Sequence, residues 1–194
     1  FDVTEDGFDY VLLEDDTYKV NAYIGDATEL SIPSEFNGKA VTVVNGNGFR
    51  NSKVEKLILP ESVTFLDGNI YSPVKELYVY NPELLLSKEP FSYMDKTAVV
   101  YGFADSGLRS EANGAGIKFA TFDVDENGYS FNLLEDDTYE LVSYIGIETE
   151  VTVPSEYDGK YVKVIGDCAF INSDSITKVS IPEGIQEIGE RAFY

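Results

Sequence analysis

The chain has 194 residues, 35 of them acidic and 14 basic, for a net charge of −21, and it contains no histidine. A field of that sign repels phosphate backbones and acidic lipid, which sets aside nucleic acid and anionic membrane surfaces as partners. Hydrophobic residues at 43% and charged residues at 25% fit a folded protein rather than a disordered one, and no apolar run reaches the roughly 20 residues that span a bilayer.

The 14 Tyr and 12 Phe, with no Trp, suit half-buried strands, where flat rings pack on a pleated surface. Cys168 is the only cysteine, so no intramolecular disulfide can form and the redox compartment is left open. The chain starts at Phe1 without a basic–apolar leader and ends at Tyr194 without a terminating signal. The expectation is a fragment of a longer protein.

An internal repeat organises the sequence. Phe1-Asp2-Val3 returns as Phe122-Asp123-Val124, and the offset of 121 holds without a gap as far as Ser52 and Ser173. Leu12-Leu13-Glu14-Asp15-Asp16-Thr17-Tyr18 returns whole as residues 133–139, and Pro33-Ser34-Glu35 as Pro154-Ser155-Glu156. Roughly half of the aligned positions are identical, far above chance over such a stretch. One residue is then added, and Val54-x-x-Leu57-x-Leu59-Pro60 pairs with Ile176-x-x-Val179-x-Ile181-Pro182. The expected organisation is a first module over 1–121 and a second, truncated module over 122–194.

In chain order, each module opens on a hairpin. Phe8 to Leu13 and Thr17 to Tyr23 are apolar and aromatic, with Glu14-Asp15-Asp16 as the turn between them. A second pair of strands is expected over Glu29 to Ile32 and Ala40 to Val44, joined through Asn37-Gly38, whose counterpart is Asp158-Gly159; both dipeptides tolerate positive φ. The pattern then shortens. Val54-x-x-Leu57-x-Leu59 is echoed twenty positions on by Val74-x-x-Leu77-x-Val79, which reads as strands with alternate residues turned into a stacked core. One such strand cannot bury its apolar side alone, and stacked coils of about 20–29 residues can. Glu55, Lys56 and Ile58 then face outward, as do Lys75, Glu76 and Tyr78. Thr97 to Gly102 reads as a strand, and Ser106 to Asn113 as a short helix with Ser106 as N-cap and Gly114 and Gly116 ending it. Ile117 to Phe119 resume the extended chain.

Val179-Ser180-Ile181-Pro182-Glu183-Gly184-Ile185-Gln186-Glu187-Ile188-Gly189-Glu190-Arg191-Ala192-Phe193 resembles the leucine-rich repeat of BspA type, whose repeat reads approximately I-x-I-P-x-x-V-x-x-I-G-x-x-A-F. Val162 to Phe170 resembles it too, and Val100 to Leu108 looks like the terminal element that follows such repeats. The first module departs from the pattern: Asn45-Gly46-Asn47-Gly48-Phe49 stands where Ile-Gly-x-x-Ala-Phe is usual, and Leu66 to Tyr71 departs further. The resemblance implies a mainly β, right-handed leucine-rich-repeat solenoid, with hairpins at the start of each module and one short helix. It also implies a secreted or cell-surface bacterial protein that binds or adheres and does not catalyse. It supplies no fixed set of binding residues.

The residue types present limit the chemistry the chain can do. Without histidine there is no Ser-His-Asp or Cys-His nucleophile, no His-based zinc site and no imidazole base, and no phosphate-binding glycine loop is present. Paired carboxylates, which suffice for a glycosidase, occur at Glu14-Asp15-Asp16 and Glu135-Asp136-Asp137. A turn tip offers them neither desolvation nor a cleft. Asp123-Val124-Asp125-Glu126-Asn127-Gly128 matches the first half of a calcium loop, with Asp123, Asp125 and Asn127 as ligands. The distal Glu of that loop falls at Leu134, and an ordinary polar turn is the competing expectation. Apart from that Ca²⁺, no cofactor is expected. Cys168 has no cationic neighbour in sequence to activate it.

The outward positions of the solenoid strands, Ile58, Tyr78, Tyr80 and Ser180, are the candidate binding surface, since Tyr joins area to a hydroxyl at low entropy cost. The competing expectation is that these side chains pack beneath neighbouring loops. The expected function is a surface interaction or adhesion module for a protein or glycan ligand of host or microbial origin. A carbohydrate-binding or scaffolding appendage of a larger secreted enzyme and a structural spacer are the alternatives.

Overall fold

The computed structural model describes residues 4–194; Phe1, Asp2 and Val3, including Asp2 of the first copy's calcium-like run, lie outside the described residues. By packing the chain divides into two units, Phe1–Ile117 and Lys118–Tyr194, while the sequence repeat starts its second copy at Phe122.

In the first unit β1 (Phe8–Leu12) and β2 (Tyr18–Tyr23) form an antiparallel hairpin with a bulge between Asp9 and Tyr10. The turn is closed by aspartate: Asp15 Oδ1 accepts the Thr17 N–H at 3.1 Å and its hydroxyl at 2.7 Å, and Asp16 takes φ +68°. Then come β3 (Glu29–Ser31), β4 (Glu35–Phe36), β5 (Lys39–Asn45) and a 3₁₀ turn over Gly46–Phe49. They are followed by β6 (Lys56–Leu59), β7 (Phe65–Asp67), β8 (Glu76–Val79), β9 (Leu85–Leu86) and β10 (Val99–Tyr101).

The strands sort into two sheets. One runs β1-β2-β5-β7-β9, with β4 beside β5, and the other contains β3-β6-β8-β10; neighbours are parallel except where β1 and β4 pair antiparallel. Each turn of the chain gives a strand to each sheet, and the coils stack as a solenoid; Leu57 lies opposite Leu77, twenty positions on. The expected second hairpin does not form as read. Residues 29–31 and 39–45 belong to different sheets, and the hairpin partner of β5 is the two-residue β4, through Asn37 (φ +51°) and Gly38 (φ +74°). Pro33, which has no N–H to extend the ladder, follows the point where the chain leaves the first of these strands.

Inward positions fill the space between the sheets. Val20, Val41, Val44, Val54, Leu57, Leu66, Val74 and Leu77 are all fully buried, each burial favouring the fold by about 1.5–3 kcal/mol before entropy is subtracted. The hairpin β1–β2 covers the first coil's edge, with β1 as the terminal strand of that sheet. At the other end is α1 (Gly107–Ala115), which buries Leu108 and Ala112. It extends through Gly114, contrary to expectation, and stops at Gly116 in the left-handed conformation, φ +68°. Ser106 stands at the N-cap with extended φ and ψ, but its hydroxyl donates to Phe103 O at 2.6 Å rather than capping the helix.

The second unit repeats the plan. After β11 (Lys118–Ala120) come the hairpin β12 (Tyr129–Leu133) and β13 (Tyr139–Tyr144), then β14 (Glu150–Thr152), β15 (Glu156–Tyr157), β16 (Lys160–Ile165), β17 (Lys178–Ser180) and β18 (Glu187–Ile188). β13, β16 and β18 are parallel neighbours, as are β14 and β17. The duplication extends to surface pairs: Lys56–Glu29 at 2.8 Å recurs as Lys178–Glu150 at 3.3 Å.

Candidate functional site

The outward side of β3-β6-β8-β10 in the first unit is built in rows, because parallel strands in register set like positions side by side. One row is Glu29, Lys56, Glu76 and Val99; the next is Ser31, Ile58, Tyr78 and Tyr101. Beyond the strand ends, Tyr80 follows Tyr78 by two positions and Phe103 follows Tyr101 by two.

Charge is settled at one edge of this face. Lys56 pairs with Glu29, Lys75 with Glu55 at 2.9 Å, and these four side chains with Thr28 and Glu76 line a shallow hollow of about 210 Å³. The hydrogen bond to Glu29 holds the Lys56 ammonium above the usual lysine range. Its Nζ lies 5.2 Å from the centre of the Tyr78 ring, within reach of a cation–π contact.

Tyr78 in turn stacks on Tyr101, 4.3 Å between centroids and 9° between planes. The Tyr78 hydroxyl donates to Glu76 Oε2 at 3.3 Å. Burial, then the Glu76 charge, pushes the Tyr78 phenol up, and burial pushes Tyr101 further in the same direction. Ile58 and Tyr78 are half-buried, Tyr101 is buried, and Tyr80 and Phe103 are the rings most open to water, at 45% and 42% exposure.

Three of the four expected surface residues, Ile58, Tyr78 and Tyr80, thus fall on one face. Ser180 is half-buried in the second unit, opposite Thr152; these two positions match Ile58 and Ser31 of the first unit. Tyr101 and Phe103 were missed in sequence. Their signal was the aromatic-x-aromatic spacing shared by 78–80 and 101–103, hidden because the coil between them is three residues longer than the twenty that separate Leu57 from Leu77.

The calcium-like run lies on a turn at the start of the second unit. Asp125 Oδ1 accepts the N–H groups of Asn127 at 2.9 Å and Tyr129 at 2.8 Å, Gly128 takes φ +86°, and Asp123 and Asn127 are exposed. Among the described residues no group of three or more His, Cys, Asp or Glu side chains converges as a metal site would require. The run rims a hollow of about 690 Å³ whose walls include Tyr129, Tyr144, Glu148 and Glu150. Those two rings are buried, and their hydroxyls serve the backbone: Tyr129 donates to Thr152 O at 2.9 Å, and Tyr144 accepts from the Glu148 N–H at 3.1 Å. The acidic turns are likewise occupied, with Asp16 paired to Lys39 and Asp137 to Lys160. Cys168 is buried at φ +56°. No helix among the described residues is long and apolar enough to cross a membrane.

A family model described as the BspA type leucine rich repeat region matches residues 149–194. Among solved structures, a leucine rich cell surface protein of Faecalibacterium prausnitzii is 14% identical, with 98% of this chain and 73% of that one covered at a TM-score of 0.37. A leucine-rich repeat protein of Eubacterium ventriosum is 17% identical, covering 100% and 62% at a TM-score of 0.39. The leucine rich repeat protein of T. pallidum is 16% identical, covering 96% and 85% at 0.33. No curated protein matches the chain.

Proposed function

We propose, on the premise that this chain is built from leucine-rich repeats of BspA type, that it is a secreted or cell-surface interaction module which binds a macromolecule and performs no catalysis. The observation that carries this reading is the outward face of β6, β8 and β10. There Tyr78 and Tyr101 form a rigid stacked base and Tyr80 and Phe103 present exposed rings beside it. Rigid rings on regular strands give contact area at little entropic cost, which is what a recognition surface needs. The absence of histidine throughout the sequence leaves carboxylates as the general acids and bases, and the clustered ones sit on exposed turns.

The test is a binding screen of the whole chain against glycans and matrix proteins, with and without Ca²⁺, repeated with Tyr80→Ala. Saturable binding that weakens in the variant supports the reading. A Ca²⁺ requirement abolished by Asp123→Asn would assign the turn at Asp123, Asp125 and Asn127 to metal. A ligand whose binding ignores Tyr80 and Phe103 would remove this face from consideration, and a blank screen would favour a spacer role.

A further inference from the structure

We infer, resting on that reading of the face, that its occupant is a cationic segment of a partner protein, an arginine- or lysine-rich stretch laid across Tyr80 and Phe103. The argument starts from an asymmetry. At the edge where β6 and β8 begin, carboxylates and lysines cancel in pairs, Glu29 with Lys56 and Glu55 with Lys75. At the opposite edge, where β6, β8 and β10 end, Glu61, Glu83 and Asp105 are exposed, and none of them takes part in an ion pair among the described residues. The two exposed rings sit at that same edge, each two positions beyond the paired Tyr78 and Tyr101 of neighbouring strands.

The edge is held in place before any partner arrives. Asn81 Nδ2 donates to Glu61 O at 3.0 Å and to Val63 O at 2.9 Å, and Asn81 Oδ1 accepts the Glu83 N–H at 2.9 Å. The Asp105 turn is closed by the Ser106 N–H and hydroxyl on Phe103 O, at 3.0 and 2.6 Å. A partner therefore meets carboxylates whose backbone is already ordered, which lowers the entropy lost on binding.

The chain also shows what its rings accept. Arg50 lies 5.1 Å over Tyr71, Lys56 lies 5.2 Å over Tyr78, and Arg191 lies 5.7 Å over Tyr194. A guanidinium on Tyr80 or Phe103 would repeat that contact and meet a carboxylate at the rim. A net charge of −21 adds long-range attraction for cations and repels anionic partners. A neutral sugar would also stack on the rings and donate hydroxyls to the carboxylates, but it would gain nothing from their charge.

Bulk attraction must be separated from the site, so the experiment uses variants that move rings and charges independently. An arginine-rich decapeptide is titrated calorimetrically into the whole chain at fixed salt, beside a glycine–serine peptide of the same length. Tyr80→Ala with Phe103→Ala leaves the net charge unchanged and is expected to weaken binding about tenfold. Glu61→Gln, Glu83→Gln and Asp105→Asn together are expected to weaken it at least as much, whereas Glu35→Gln, Glu126→Gln and Glu183→Gln, an equal change of charge elsewhere, should cost no more than about twofold. Circular dichroism checks the fold of each variant, and Tyr80→Leu with Phe103→Leu repeats the ring test with bulk retained. Equal binding by the ring variants, or equal loss from the two charge triples, overturns the proposal. A neutral glycan that binds and is lost with Tyr80 and Phe103 also overturns it while leaving the binding face intact. If no ligand responds to the rings, the face itself falls.

Discussion

The ring of Tyr10 lies flat on that of Phe36, 3.9 Å between centroids and 5° between planes, and one repeat later Phe131 lies on Tyr157 at 4.1 Å and 20°. The hydroxyl has changed sides and the stack has stayed. In the first copy the Tyr10 hydroxyl is buried with no hydrogen-bond partner among the described residues. A buried hydroxyl left unpaired costs about 1–3 kcal/mol, and the second copy places Phe at that position. Tyr10→Phe is therefore expected to leave stability unchanged or raise it by about 1 kcal/mol, read as the urea midpoint. Phe36→Ala, which removes the stack, should lower it by about 3 kcal/mol.

Gly25 and Gly146 are set by a close approach. A Cβ on Gly25 would press into the Tyr23 hydroxyl, and one on Gly146 would stand 2.5 Å from the Tyr144 ring. Both tyrosines are buried, and each hydroxyl accepts a loop N–H, from Ala27 at 3.2 Å and from Glu148 at 3.1 Å. Gly25→Ala and Gly146→Ala should each cost about 1–3 kcal/mol in denaturant unfolding. Gly38→Ala meets open space but sits at φ +74°, so its cost should be smaller and come from the backbone alone.

How much of this could be read from residues alone follows from the period of the signal. Alternation within 20 residues exposed Leu57, Leu59, Leu77 and Val79 as core and Ile58 and Tyr78 as surface, since a strand's faces are written in a single pass. The pairing of β3 with β6 rather than β5 was hidden, because both choices leave Leu30 buried and only the stacking of coils decides between them. Tyr101 and Phe103 escaped for a related reason: their partners are set by register across a longer coil, which local pattern does not carry. Asp125 looked like a ligand because turn closure and metal binding select the same residue types, and its two backbone amide contacts exist only once the chain has turned.

Alkaline pH should unfold the chain through its buried phenols. Burial pushes Tyr10 up to about 12, and it pushes Tyr129, helped by Tyr144 and Asp125, up to about 12 as well. A raised native pKa means that the folded state holds its proton more tightly. The associated stability is complete below pH ~10, the ordinary tyrosine value, and is lost as pH rises from there through about 12. Tyrosinate absorbance should therefore rise in two stages, exposed rings first and the buried set together with the loss of circular dichroism. A single stage at the ordinary value, with the fold retained, would contradict the assignment.

The acid limb should come from three turns of one design. Asp15, Asp136 and Asp95 each accept the N–H and hydroxyl of the threonine two positions on, and the hydroxyl bond to that threonine is the first cause holding each carboxyl below the usual aspartate range. A depressed native pKa contributes stability that is present above the unfolded value, about 3.9, and is lost as pH falls through the lower native one. Stability should stay level down to about pH 4 and then decline. Asp15→Asn with Asp136→Asn should lower it at neutral pH and flatten that decline, because the amide can still accept the two bonds but no longer takes up a proton. Urea midpoints measured across the acid range for both proteins check the sign, and a decline equally steep in the double variant would assign it to other carboxylates.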